Sequence, residues 1–448
     1  MASRAEQMAA NISLSKFGKA TELKQRLWFT LGALIVFRLL SFVPLPGIDP
    51  VALNALYANN AQGGVLDIFN TFSGGSLQRM SLIALGVMPY ITASIVVQLA
   101  AALSPTLAAI KKEGEAGRKK LNQYTRYGTV FLTAIQGYFL AAGLETLAAS
   151  SGLQAVVEPG IMFRVVAVIS LVGGTMFLMW LGEQITSRGI GNGISLIIFS
   201  GIVANLPSAL AGTLELGRTG ALSTAFIIFL LMMSVGVIYF IVFVERAQRR
   251  IIVQYPKRQR GTKMTGGESS HLPLKINTAG VIPPIFASSL LLMPITVIGF
   301  SAGSGPEWLT NIAAYLGRGQ PVYLLIYISM VVFFAFFYTA VVFNPTETAD
   351  NLKRYGGFIP GIRPGKNTAE YLDWVLTRLT VTGASYLAAI CLLPELLISR
   401  YSVPFYFGGT SLLIVVTVTM DTVSQVQSHL LAHQYEGLIK KSRLKGRR

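Results

Sequence analysis

Ten stretches of this chain run for about 20 residues with few or no charged side chains, and they limit what it can fold into more than any other feature. They are 27–43, 80–103, 127–144, 160–182, 190–210, 221–244, 277–299, 321–343, 374–396 and 402–422. A helix rises ~1.5 Å per residue, so about 20 residues cross the roughly 30 Å apolar core of a bilayer. In that core every backbone N–H and C=O must be paired within the segment, which selects helices. With 52% hydrophobic and 13% charged residues, the composition lies outside that of an ordinary soluble domain. The pattern predicts an all-α polytopic membrane protein.

A net charge of +17 raises nucleic acid as a partner. The placement of the charge argues for topology instead. With an even number of spans both termini share one side, and the connections on that side are 1–26, 104–126, 183–189, 245–276, 344–373 and the tail. They hold all of the 37 Lys and Arg except Arg38, Arg79, Arg164, Arg218, Arg318, Arg378 and Arg400. By the positive-inside rule both termini are cytoplasmic. Residues 1–26 are polar and basic and the first apolar run continues as a full span, so no cleavable signal is expected. The single Cys391 excludes an intrachain disulfide framework and reads as a packing residue.

The stretch from Gly63 to Leu103 stands apart. It opens GGVLDIFNTFSGG, a short amphipathic segment between Gly63-Gly64 and Gly74-Gly75, too short to cross a bilayer; the uncharged run from Met80 follows directly. A half-length helix hinged by glycines ahead of a full span suggests a stopper lying against a pore. Other stretches add detail. Arg38, near the outer end of the first span, can snorkel to the headgroups. The glycines of GIGNG, Gly189, Gly191 and Gly193, have the wrong spacing for a dinucleotide site and predict a tight turn into the fifth span. Ile251, Ile252, Val253 and Tyr255 followed by a basic Pro/Gly turn predict a cytoplasmic hairpin. Lys257, Arg258, Arg260 and Lys263 at its tip suit RNA or an acidic protein surface. Pro283, Pro284 and Pro294 predict a kinked or locally opened seventh span.

No enzyme constellation emerges. PGIRPGKN departs from a phosphate loop, with Pro360 in place of the first glycine and Asn367 in place of Ser/Thr, so ATP binding is rejected. His271, His429 and His433 lie in cytoplasmic stretches without a metalloprotease pattern. No cofactor or metal is called for. A secondary transporter with broken helices is the competing class. The scarcity of acidic residues at membrane depth weighs against it, since Glu183, Glu395 and Asp421 fall at or near span ends.

The runs FNTFSGGSLQRMSLIALGVMPYITASIVVQLA, PTLAAIKKEGEAGRKKLNQYTRYG, GTMFLMWLGEQITSRGIGNGISLIIFSGIVA, FVERAQRRIIVQYPKRQ, FNPTETADNLKRYGGFIPGIRPG and VPFYFGGTSLLIVV resemble the SecY family, the channel subunits of the bacterial general protein translocase. The resemblance covers all ten spans in order. It implies an hourglass channel of two pseudo-symmetric halves, 27–214 and 215–425, flanked by a cytoplasmic segment 1–26 and a basic tail 426–448. A lateral gate would lie between spans two and three on one side and seven and eight on the other. Gly64, Val65, Leu66, Asp67, Ile68, Phe69, Asn70, Thr71 and Phe72, within the bracket 63–75, match the plug. Val87, Ile91, Ile194, Ile198, Ile285 and Ile414 match the pore ring, Val87 standing where isoleucine is usual. Gln98 and Asn277 match polar gate positions, and Lys257, Arg258 and Arg363 match the docking surface for SecA and the ribosome. The implied function is a passive protein-conducting channel of the bacterial inner membrane, not an enzyme, which releases membrane segments sideways. Implied partners are SecE and SecG as small subunits, SecA, the ribosome, signal sequences and nascent chains, membrane lipids, and in the wider pathway SecDF and YidC.

Overall fold

The computed structural model describes residues 21–53, 70, 73–151, 155–220, 223–256, 258–260, 263–265, 269–301, 320–401 and 409–445. Twelve helices of eight residues or more and four short strands follow one another among the described residues. They are α1 (Thr21–Leu40), α2 (Met88–Leu103), α3 (Pro105–Lys112), α4 (Glu115–Ser151), α5 (Ile161–Arg188), α6 (Gly193–Arg218) and α7 (Thr224–Arg246). Then come β1 (Gln248–Gln254), β2 (Arg258–Arg260), β3 (Lys263–Thr265), β4 (Ser269–Lys275), α8 (Ile282–Ser301), α9 (Pro321–Val342), α10 (Pro345–Arg354), α11 (Lys366–Tyr401) and α12 (Gly409–Lys445).

Six described helical stretches are long and apolar enough to cross a membrane by length and composition. They are Glu115–Thr146, Ile161–Arg188, Gly193–Arg218, Thr224–Arg246, Pro321–Arg354 and Lys366–Leu393. A seventh arises if α2 and α3, bent by 101° at Ser104, count as one span. The chain divides into two compact units, one of residues 1–208, 292–314 and 414–448, the other of 209–291 and 315–413.

In the first unit α4 packs along α5 and against α2. The run from Met80 to Leu103 does not form one continuous helix as its composition predicts. Residues 73–87 are turns, and only the 16 residues of α2 are helical, about 24 Å of rise. The backbone explains the late start. Gly86 and Met80 hold positive φ, which a helix cannot accommodate. The chain spends its amides on 43–45 instead: Leu45 N donates to Met80 O at 2.9 Å and Leu82 N to Val43 O at 2.9 Å. Pro89 then falls in the first turn of α2, where its missing N–H costs nothing.

In the second unit the predicted hairpin is present. β1 and β4 pair antiparallel from Gln248↔Lys275 to Gln254↔Ser269, and β2 with β3 at the tip from Arg258↔Thr265 to Arg260↔Lys263. Pro283 and Pro284 occupy the first turn of α8 and so start that helix rather than opening its middle. The 344–373 connection contains a helix that composition alone passes over. Asn344 caps α10 by accepting from Thr346 N and Glu347 N, Pro345 begins it, and Gly356 at φ +75° ends it.

Candidate functional site: pore-lining, gate and docking residues

Of the candidate plug, only Asn70 lies among the described residues, and it closes a loop around the second glycine pair. Its carbonyl accepts from Gly75 N at 2.9 Å and its Oδ1 from Gln78 N at 3.0 Å. Gly74 and Gly75 sit at φ +69° and +82°, where a side chain is strained. A Cβ on Gly74 would come within 2.9 Å of the Gly201 backbone. Arg38 does not simply snorkel. Its Nη1 donates to Gly74 O at 3.0 Å, and Arg79 donates Nη2 to the same carbonyl at 3.0 Å and Nε to Gly75 O at 3.2 Å. Both guanidiniums face the Phe42 ring, at 5.7 and 4.2 Å from its centroid. The second glycine pair is therefore a rigid, doubly tethered turn.

Val87 is the N-cap residue of α2, and its carbonyl accepts from Ile91 N at 3.1 Å. Both side chains are buried. Ile198 on α6 and Ile414 on α12 are buried as well, while Ile194 on α6 and Ile285 on α8 are half-buried. Five of the six candidate ring residues belong to the first unit and Ile285 to the second. Gln98 is half-buried and spends its amide on Ser94 Oγ of its own helix, at 3.1 Å.

GIGNG folds as the tight turn its glycines predict, between α5 and α6. Gly191 is at φ +89°, and a Cβ on Gly193 would meet Gly182 O at 1.9 Å. Backbone amides of the turn are satisfied by side chains from distant helices: Ile190 N by Thr30 Oγ1 at 3.1 Å and Gly191 N by Gln425 Oε1 at 2.8 Å. Ile190 packs with Leu23 and Leu430. About three turns into α4, Arg126 grips Glu183 of α5 through two bonds of 2.9 and 2.7 Å, so this span-end carboxylate is an ion-pair partner.

In the second unit Asn277 is buried directly ahead of α8. Its Nδ2 donates to Glu245 Oε1 at 2.6 Å and to Gly280 O at 3.0 Å, and its Oδ1 accepts from Gly280 N at 3.1 Å. The two basic connections are one module. Gln254 and Phe358 exchange backbone bonds of 2.9 and 3.0 Å, and Ile251, Leu274, Ile359, Leu372, Val375 and Leu376 form a shared core. Arg363 stands exposed on this module, its backbone fixed by Thr368 Oγ1 donating to Arg363 O at 2.9 Å. Lys257 lies outside the described residues, and Arg258 contributes backbone to β2.

Glu245 is the site residue that sequence reasoning passed over. Its signal was present: a lone carboxylate at the end of the apolar run 224–244, where burial demands a partner. One partner, Asn277, lies 32 positions away across the hairpin, a separation that local pattern does not bridge.

A family model described as SecY matches residues 81–423. The protein translocase subunit SecY of Escherichia coli (strain K12) is 56% identical over 430 residues, covering 96% of each chain. The chain belongs to the SecY family. Solved structures agree in fold. A protein-conducting channel aligns with a TM-score of 0.62 at 18% identity, over 91% of this chain and 92% of that one. Sec61 in a canine ribosome-channel complex from the endoplasmic reticulum aligns at 0.59, also at 18% identity and over the same shares. With SecY-family membership comes the role of a protein-conducting translocase subunit, a channel and not an enzyme, and a multi-pass helical membrane protein.

Proposed function

We propose that this SecY-family chain is the passive central pore through which unfolded secretory polypeptides cross the bacterial inner membrane, and from which apolar segments leave sideways into the bilayer. In this reading ten spans form an hourglass of two halves, 27–214 and 215–425, with both termini in the cytoplasm. Val87, Ile91, Ile194, Ile198, Ile285 and Ile414 make the constriction, and residues 64–72 make the plug behind it. A ring of aliphatic side chains excludes ions by dewetting and can part for an extended chain. It offers no fixed hydrogen-bond pattern, so many sequences can pass. Gln98 and Asn277 belong to the lateral gate. The module carrying Lys257, Arg258 and Arg363 receives SecA or the ribosome, which supply the driving force, and SecE and SecG complete the complex.

What supports the ring above all is that Val87 and Ile91 lie buried side by side at the start of α2, directly after the doubly tethered glycine turn. The test is a photoreactive amino acid at position 91 of the assembled translocase, carrying an arrested secretory chain. An adduct with the chain is expected when the chain spans the membrane and not before targeting. Absence of any adduct in the engaged complex would remove the ring assignment.

A further inference from the structure

We propose that Glu245 is a positioning residue that acts through Asn277 to set how good a signal sequence must be to open the channel; this rests on the reading of Asn277 as a gate residue. Glu245 is 8% exposed and Asn277 4% exposed. A buried carboxylate is costly unless it accepts hydrogen bonds, and Glu245 accepts one of only 2.6 Å from Asn277 Nδ2. That bond fixes the amide's rotation. Once fixed, Asn277 can clamp Gly280 from both sides, through Nδ2 to its carbonyl and from its N–H to Oδ1. Gly280 sits at φ +63° two residues before α8 begins, so the clamp sets the angle at which that helix leaves the turn.

The surroundings leave the turn little freedom. Ile276 N donates to Ala247 O at 3.1 Å, tying the residue before Asn277 to the end of α7. A Cβ on Gly383 of α11 would stand 2.9 Å from Ile276 O, so that helix passes with no spare space. The turn is continuous with β4 on one side and α8 on the other, while Glu245 sits at the end of α7, which leads into β1. The Glu245–Asn277 bond thus closes the base of the docking hairpin and fixes the start of the gate helix with the same two side chains. In this proposal, a signal that moves the start of α8 works against the Asn277–Gly280 clamp and this bond. Its strength is a threshold, and loss of the bond lowers the threshold for weak and strong signals alike. Only the weak ones gain visibly in transport.

The test uses the complete translocase reconstituted in proteoliposomes. The measured quantity is the transport of a precursor with a charge inserted in its signal core, relative to the same precursor with an intact signal. Glu245→Leu is expected to raise that ratio by about fivefold or more, the scale of one buried hydrogen bond expressed as coupling, with intact-signal transport held within about twofold. Glu245→Gln keeps an acceptor and should stay near the parent. Asn277→Leu should raise the ratio as Glu245→Leu does, and the double variant should be no higher than either single.

Failure takes distinguishable forms. If Asn277→Leu leaves the ratio unchanged, the gate reading is wrong and the proposal falls with it. If Asn277→Leu raises the ratio but Glu245→Leu does not, or if the two effects multiply in the double variant, only the positioning role is wrong. Equal loss of transport for both precursors in Glu245→Leu would reduce the residue to a structural one. Should that variant fail to assemble, Glu245→Asp, which withdraws the carboxylate by one methylene, takes its place. It must raise the ratio in the parent and not in the Asn277→Leu background.

Discussion

A single methylene or charge matters most where the chain is aliphatic on purpose. Ile91 is buried in the first turn of α2, and in the proposed constriction an ammonium there would hydrate a ring that dewetting would otherwise keep dry. Ile91→Lys is expected to give an assembled channel with measurable resting ion conductance in planar bilayers, where the parent is silent. Ile285→Lys should do the same, since that residue is half-buried on α8. Unchanged conductance in both would count against the ring. Residues of this kind were not legible from spacing. Val87 and Ile91 are i, i+4 neighbours like dozens of other aliphatic pairs, and only extended resemblance to a family singled them out. Arg38 shows the opposite limit: its position near a span end suggested snorkelling, but its partner, the Gly74 carbonyl, is 36 residues away.

At the scale of elements, signals that act within a few residues read well and those that depend on distant backbone did not. The hairpin follows from the run Ile251, Ile252, Val253 and Tyr255 ahead of a basic Pro/Gly turn, and β1 buries Ile251 and Val253 on one face as alternation requires. GIGNG is a turn because no side chain fits where Gly193 meets Gly182. The start of α2 escaped, because residues 80–87 are as apolar as any helix and are held in turns by bonds to 43–45. A further cause lies on α5, where Gly174 leaves room for Leu82 O; a Cβ there would stand 2.1 Å from it. The cap signals of α10 are present in NPTETADNLKRYGG, but they lie within a connection dominated by charged residues. Because the hairpin and the 344–373 connection share one core, loosening either should loosen both. Leu274 is 4% exposed in that core, and Leu274→Ala should cost about 2–5 kcal/mol of local packing. The expected readout is faster proteolytic cleavage of both connections in membrane vesicles, with the spans intact. Cleavage confined to the hairpin would show that the two are not one module.

At the scale of the whole molecule, charge and hydropathy gave the topology class early because both are sums over many residues and tolerate local errors. Pairing within each unit was not legible, since contacts such as Thr30 with Ile190 and Gln425 with Gly191 join residues 160 and 234 positions apart. The same summed charge makes a prediction about partners. An excess of +17, concentrated on the side read as cytoplasmic, favours encounter with acidic surfaces, and such steering fades as the Debye length shrinks from about 8 Å near 0.15 M salt to about 3 Å at 1 M. Arg363 stands exposed on a loop whose backbone is pinned by Thr368, so reversing it changes charge and leaves the fold in place. Binding of a purified motor ATPase to vesicles bearing Arg363→Glu should be weaker than to the parent at low salt, by roughly tenfold if one close charge pair is lost. The difference should narrow as salt rises, because screening removes from the parent what the substitution has already removed. Membrane insertion of the variant, measured by its resistance to alkaline extraction, should match the parent. Parent-like binding across the salt series would mean that the partner reads another face of the module.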